Sequence, residues 1–83
     1  MSYWRSGNPV QAMETENGLP KRFFWQGRTH TVNAIANAWR IDDGWWQQRV
    51  WQERFKLTTT TGLLVILSHD LLTDEWQMIR VYD

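Results

Sequence analysis

Tryptophan and arginine residues are interleaved through the middle of this 83-residue chain, a pattern with the chemistry to bind a nucleic-acid strand. Bases stack on exposed aromatic faces for about 1 to 3 kcal/mol each, and arginine neutralises backbone phosphates. The chain also has seven tryptophans, whose large rings can build the core of a small domain. The pattern therefore predicts either a binding surface or an aromatic core. Its members are Trp25, Arg28, Trp39, Arg40, Trp45, Trp46, Arg49 and Arg54.

The adjacent pair Trp45 and Trp46 favours the binding surface more strongly than the other tryptophans do. Neighbouring side chains in an extended segment point to opposite faces, so the two rings are not expected to enter one core. We expect at least one of them to face solvent beside Gly44 and Arg49. An exposed tryptophan of this kind is suited to a nucleobase or to a protein partner, because Trp and Arg are common anchors in protein interfaces as well.

Catalytic chemistry has few candidate residues. The chain has no cysteine, and its two histidines, His30 and His69, lie in no metal-binding motif. Ser68 adjoins His69, but adjacent strand residues point to opposite faces and cannot form a nucleophile and base. A hydrolase would need Asp42, Asp43 and His30 to converge in one cleft. We predict no catalytic residue, no metal and no cofactor.

Composition places the chain among small cytoplasmic domains. The formal net charge is zero, so any attraction for nucleic acid has to come from a local patch. The longest strongly apolar run, residues 63–67, is too short to span a bilayer, and the N-terminus has no signal-peptide pattern. We therefore expect a cytoplasmic protein without a membrane partner.

The order of apolar segments and turns predicts one all-β domain over residues 9–83, preceded by a flexible arm over residues 1–8. The Asn17-Gly18 and Gln26-Gly27 pairs favour tight hairpins. An antiparallel meander of about six short strands should curl into a small, partly open barrel. The six predicted strands cover residues 9–14, 20–26, 28–36, 47–58, 63–67 and 76–82.

One segment fits two structures. Val32, Ile35 or Ala36, and Trp39 recur at the helical spacing, whereas the segment as a whole continues a strand. A strand that ends in one helical turn near residues 35–40 would satisfy both patterns. The Asp42-Asp43-Gly44 sequence then predicts a turn.

The fourth predicted strand, residues 47–58, has two contrasting faces. Apolar and polar residues alternate along it, which is typical of a half-buried strand with a basic, amide-rich face in water. The two alternating sets are Trp51, Phe55 and Leu57 on one face and Gln52, Arg54 and Lys56 on the other.

The chain resembles a family of small bacterial domains of unknown function. These domains occur alone or C-terminal to proteins similar to Y-family translesion polymerases. The resemblance implies an association with DNA damage tolerance and brings no catalytic residues with it. The motifs that carry it are Pro9, Gly18-x-Pro20, Phe24-x-x-Gly27-Arg28-x-His30-x-Val32, Trp39-Arg40, Trp45-Trp46 and Trp76-x-x-x-Arg80-Val81-Tyr82-Asp83.

Together these features predict a non-enzymatic accessory binding module. In this hypothesis a basic and aromatic β surface contacts single-stranded nucleic acid or a polymerase-associated repair protein. The alternative is a module for protein interaction or homo-oligomerisation without a nucleic-acid role, in which an exposed tryptophan or an unpaired strand edge recruits another chain.

Overall fold

The computed structural model describes the backbone of residues 2–45 and 48–82 and the side chains of residues 8–42 and 50–82. The described residues form seven strands and no helix, so none of these residues belongs to a membrane-spanning helix. The strands are β1 (Ser2–Pro9), β2 (Gln11–Glu16), β3 (Leu19–Trp25), β4 (Arg28–Trp45), β5 (Gln48–Thr59), β6 (Leu64–Asp70) and β7 (Glu75–Tyr82).

All seven strands belong to one antiparallel sheet in the order β1-β7-β6-β5-β4-β3-β2, which curls into a half-barrel. This confirms the predicted all-β meander. The first two hairpins turn at Asn17-Gly18 and Gln26-Gly27, and all four residues have positive φ, as tight hairpin turns require.

The N-terminal segment differs from the sequence prediction of a flexible arm over residues 1–8. The backbone of Ser2–Pro9 pairs with β7 as an edge strand, which raises the strand number from six to seven. Strands β1 and β2 therefore form the two edges of the sheet, although only Val10 separates them in the sequence. The Val10 amide donates to the Trp76 carbonyl at 3.0 Å, which ties this corner to β7. The partner of β1 lies at the opposite end of the chain, where local sequence patterns cannot reveal it.

Strand β4 contains no helical turn, so the prediction of one near residues 35–40 is wrong. Its pairing with β5 shifts register between Val32 and Ala34 and again between Ile35 and Asn37. Each shift is a bulge that inserts one residue. Consequently Val32, Ile35 and Ala38, which lie opposite inward-facing residues of β5, recur at every third position. The bulges thus account for the helix-like spacing of Val32 and Ile35, whereas Trp39, the third member of that pattern, lies on the opposite face of β4.

The predicted turn at Asp42-Asp43-Gly44 is also wrong. These residues continue β4 and pair with Trp51, Val50 and Arg49. The last pair of the hairpin joins Trp45 to Gln48, and Trp46 and Gln47 lie outside the described residues.

The hydrophobic core lies in the concavity of the half-barrel. In β3, Phe23 and Trp25 are buried while Phe24 is 38% exposed, because successive side chains along a strand point to opposite faces. Phe55 and Leu57 of β5 are buried on the same side. The core cluster comprises Phe23, Trp25, Phe55, Leu57, Val65, Leu67, Trp76 and Met78.

A further bulge changes the faces of the last strand. Pairing of β6 with β7 shifts register between Ile66 and Leu67, which leaves Ile79 as an extra residue. Trp76 and Met78 belong to the core, and beyond the bulge Val81 rather than Tyr82 packs against it. The bulge therefore turns Arg80 and Tyr82 toward the convex face.

A bidentate ion pair stabilises the edge hairpin β2–β3, and this stabilisation depends on pH. Arg22 donates from Nε and Nη2 to the two carboxylate oxygens of Glu14 at 2.9 and 2.8 Å. These hydrogen bonds, followed by the charge of Arg22, lower the pKa of Glu14. Because the pKa is lower in the folded state, this pair stabilises the fold above the unfolded pKa and its contribution is lost as pH falls through the folded value.

We expect Arg22→Gln to raise the pKa of Glu14 toward its ordinary value, measured from the side-chain carboxyl shift in an NMR titration. Lys21→Gln is the control, since Lys21 lowers the pKa of Glu14 only through a weaker charge effect. An equal rise in both variants would show that general charge, and not the bidentate contact, sets the value.

Candidate nucleic-acid interface

Three cations and two aromatic residues share the convex surface of the sheet. Lys56 of β5 and Arg80 of β7 flank Ile66 of β6, because both pair with it. Arg54 lies two residues from Lys56 on the same face of β5, and Trp39 of β4 pairs with Arg54. We call Trp39, Arg54, Lys56, Arg80 and Tyr82 the basic face.

The Tyr82 ring organises two of the cations. The Arg80 guanidinium carbon lies 4.4 Å from the ring centroid, and the Lys56 ammonium nitrogen lies 5.3 Å from it. Both distances fall within the range of cation–π attraction. The ring therefore holds two positive charges together that would otherwise repel each other across the sheet.

Arg54 is positioned by a small polar network. Its Nη2 donates to Gln52 Oε1 at 3.3 Å, and the hydroxyl of Ser68 donates to the same oxygen at 3.1 Å. Ser68 is 1% exposed, so this network is anchored in a closed part of the convex face. Arg54 Nε is buried and has no hydrogen-bond partner among the described residues. The network directs the guanidinium toward Gln52 rather than leaving it to extend into solvent.

Carboxylates lie at one end of the convex surface. Asp70 pairs with Gln52 on one side and with Glu75 on the other, so both acids occupy the row next to the turn between β6 and β7. The described side chains of the basic face itself are cationic or aromatic. A chain with zero net charge thus presents a locally positive surface.

The structure separates the arginines that the sequence grouped together. Arg28 and Arg40 are both exposed, but they are twelve positions apart on β4, roughly 35 Å at the rise of a strand. Arg40 forms an ion pair with Glu53 at 3.2 Å, on the opposite face of the sheet from Arg54. Arg28, Arg40 and Arg54 therefore do not line one groove.

The tryptophans divide between core and surface. Trp25 is 8% exposed and belongs to the core, so we remove it from the candidate interface. Trp39 is 37% exposed and remains in it. The prediction for Trp46 lies outside the described residues, and of Trp45 and Arg49 the structure describes only the backbone, in β4 and β5.

The candidate hydrolase residues do not converge. His30 is buried, where its Nδ1 lies 2.7 Å from Thr61 Oγ1 and its Nε2 lies 3.3 Å from the Trp25 carbonyl. Asp42 is roughly 35 Å further along β4. His30 instead closes one end of the half-barrel as part of a structural hydrogen-bond network.

A pocket of about 470 Å³ lies between β2 and the turn that joins β6 to β7. His69 and Trp76 stack in its wall with ring centroids 4.2 Å apart, and His69 Nε2 lies 2.7 Å from Asp74 Oδ1. Asp70 accepts hydrogen bonds from the Leu72 and Thr73 amides, as expected of a turn residue. Within the described residues, no group of three potential ligands could hold a metal ion.

Comparison with known protein families identifies the relatives of this chain. Residues 5–83 match the family described as "Domain of unknown function (DUF6504)". The chain belongs to this family. Comparison with curated proteins and with solved structures gave no match.

Sequence reasoning selected the arginines adjacent to tryptophans and therefore missed three members of the basic face, namely Lys56, Arg80 and Tyr82. The alternation along β5 already placed Lys56 beside Arg54. Arg80 and Tyr82 could not be assigned to that surface, because strict alternation does not include the bulge at Ile79.

We expect Tyr82→Leu to lower the free energy of unfolding by about 1 kcal/mol, because it removes the aromatic ring from between two cations. Chemical denaturation monitored by circular dichroism measures this change. Tyr82→Phe keeps the ring and should preserve most of the stability. Equal losses in the two variants would assign the contribution to the hydroxyl instead.

Proposed function

We propose that the basic face binds single-stranded DNA without sequence readout, as a non-enzymatic accessory module in DNA repair. The observation that carries this proposal is the grouping of Arg54, Lys56 and Arg80 with Trp39 and Tyr82 on one convex surface. Cations that neutralise phosphates next to rings that stack on bases are the two features that single-strand binding requires.

The size of the basic face favours a single strand over a duplex. Duplex affinity depends largely on the number of phosphates neutralised, and three cations in a neutral chain supply few such contacts. A single strand gains affinity from base stacking as well. The exposed Trp39 ring can supply this contribution at the margin of the cationic cluster.

The resemblance noted in the sequence supports DNA as the ligand. Related domains are expected beside proteins similar to translesion polymerases, which act where a template strand is exposed. The proposed binding mode suits that setting, because it is independent of sequence. It also accords with a cytoplasmic location.

Tryptophan fluorescence titration with an oligothymidine at several salt concentrations tests the proposal. We expect binding to weaken as salt rises, with a log–log slope of about −2, since each neutralised phosphate of a single strand contributes about −0.7. The double variant Arg54→Gln/Lys56→Gln should reduce the magnitude of this slope by more than half. Trp39→Phe should remove much of the quenching.

Lys21→Gln/Arg22→Gln is the matched control, because it also removes two positive charges but from the exposed β2–β3 hairpin. Its slope should stay close to that of the unsubstituted chain. A titration without quenching at low salt, or an equal loss of binding in both double variants, would contradict a site on the basic face.

A further inference from the structure

A long edge of strand β4 has no neighbour in the described part of the chain. Strand β3 pairs with β4 only from Trp25↔Arg28 to Arg22↔Thr31. Beyond Thr31, β4 continues through residues 32–45 with β5 on one side alone. In the described part of the chain, the sheet therefore has an unpaired strand edge between β3 and β4, in addition to the edges formed by β1 and β2 at its two ends.

The backbone groups at this edge can be assigned by alternation. The Ala38 amide donates to its neighbour's side chain, Asn37 Oδ1, at 2.9 Å, so it points away from β5. In an antiparallel pair, residues directed toward and away from the partner alternate. Ala38 and Arg40 consequently present backbone N–H and C=O groups at the open edge.

The open edge carries little of the side-chain protection that keeps exposed strands from associating. Residues 32–39 contain no lysine, proline or charged side chain, and the two bulges of β4 affect only residues 32–37 of the edge. A cleft of about 420 Å³ separates this part of β4 from β3. It is lined in part by Leu19, Pro20 and Ile35, and Leu19 is 46% exposed.

We propose that two copies of the chain associate by antiparallel pairing of their β4 strands, with Trp39 of one copy opposite Trp39 of the other. In this register residues 37–41 of the two strands form a regular ladder, and the bulged residues 33–36 of each copy lie opposite residues 42–45 of the other. Ala38 of each copy then forms the hydrogen-bonded pair with Arg40 of the other. Asn33 of each copy lies opposite Trp45 of the other, so each hairpin end reaches the cleft of its partner.

A second copy fits this edge better than an unrelated strand for two reasons. A strand that covers the edge must be as long as residues 32–45, and β4 itself has that length. The register is also free of like-charge pairs, because Arg40 faces Ala38 and Asp42 faces Ala36. Parallel pairing in register would instead oppose Arg40 to Arg40 and Asp42 to Asp42, which is destabilising.

The proposed pairing is tested by a charge swap at one position. Ala38→Lys places an ammonium group opposite Arg40 at two sites of the dimer, whereas Ala38→Glu places a carboxylate there. We expect sedimentation velocity to show a mass twice the 10.0 kDa of the chain at high concentration. The dissociation constant of the dimer should be at least about tenfold higher for Ala38→Lys than for Ala38→Glu.

Thr73→Lys is the control, since Thr73 is exposed in the turn between β6 and β7, away from the edge. It should leave dimerisation unchanged. A monomer at every concentration, or equal dissociation constants for the two Ala38 variants, would overturn the proposal.

Disulfide capture provides a second measurement of the register. The chain has no cysteine, so a single introduced cysteine reports only on its own position. Trp39→Cys should form a covalent dimer on mild oxidation, because directly opposed residues of a non-hydrogen-bonded pair lie about 4.5 Å apart at Cα. Thr58→Cys, on β5, should remain largely monomeric. Equal capture in both variants would contradict this register, whether or not the basic face binds DNA.

Discussion

The backbone pairing of β4 with β5 is the interaction on which the remaining structure depends. It runs from Val32↔Thr59 to Trp45↔Gln48 and is the longest pairing in the sheet. Strand β4 carries two residues more than β5 along this stretch, and bulges accommodate them. Bulges increase the local twist and bend the strand. The curvature that turns a seven-stranded sheet into a half-barrel is thus concentrated at the point where the extra residues lie.

This curvature gives the two faces of β5 different roles. Phe55 and Leu57 lie in the concavity, where strands from both sides of the sheet can cover them. Arg54 and Lys56 lie on the convex side, where no second layer is described. A single layer of strands can bury only one face, so the convex face has to be stabilised by local contacts. The Tyr82 ring and the hydrogen bonds of Gln52 provide such contacts.

The parts of the fold that sequence reasoning could predict are those set by near neighbours. Alternation predicted that Phe55 and Leu57 share one face of their strand, and the Asn-Gly pair predicted the first hairpin. Strict alternation failed at the bulges, where one inserted residue moves every later side chain to the other face. This explains the helix-like spacing of Val32 and Ile35 in β4, and it is why alternation alone could not assign Tyr82 to the basic face. The pairing of β1 with β7 joins the two ends of the chain and leaves no local signature.

The candidate site also divides into features that near neighbours in sequence predict and features that depend on the pairing of distant strands. Alternation along β5 placed Arg54 and Lys56 together on a wet face, as the structure does. The idea that arginines near tryptophans form one surface failed for Arg40 because it follows Trp39 directly and therefore points to the other face of β4. It failed for Arg28 because this residue pairs with Trp25 at the far end of β4. Trp25 entered the core because its face of β3 lines the concavity. A site that crosses several strands requires their register, and that register depends on bulges.

Trp39 connects the two surfaces discussed above. It belongs to the basic face through its pairing with Arg54, and it lies at the centre of the open edge of β4. Residues that face each other in an antiparallel pair point to the same side of the sheet. Association through this edge would therefore place two basic faces on one side of a continuous sheet, joined at the two tryptophans. The number of cations available to one DNA strand would double while the net charge stayed at zero. Dimerisation would in this way raise the affinity of a neutral domain for a polyanion.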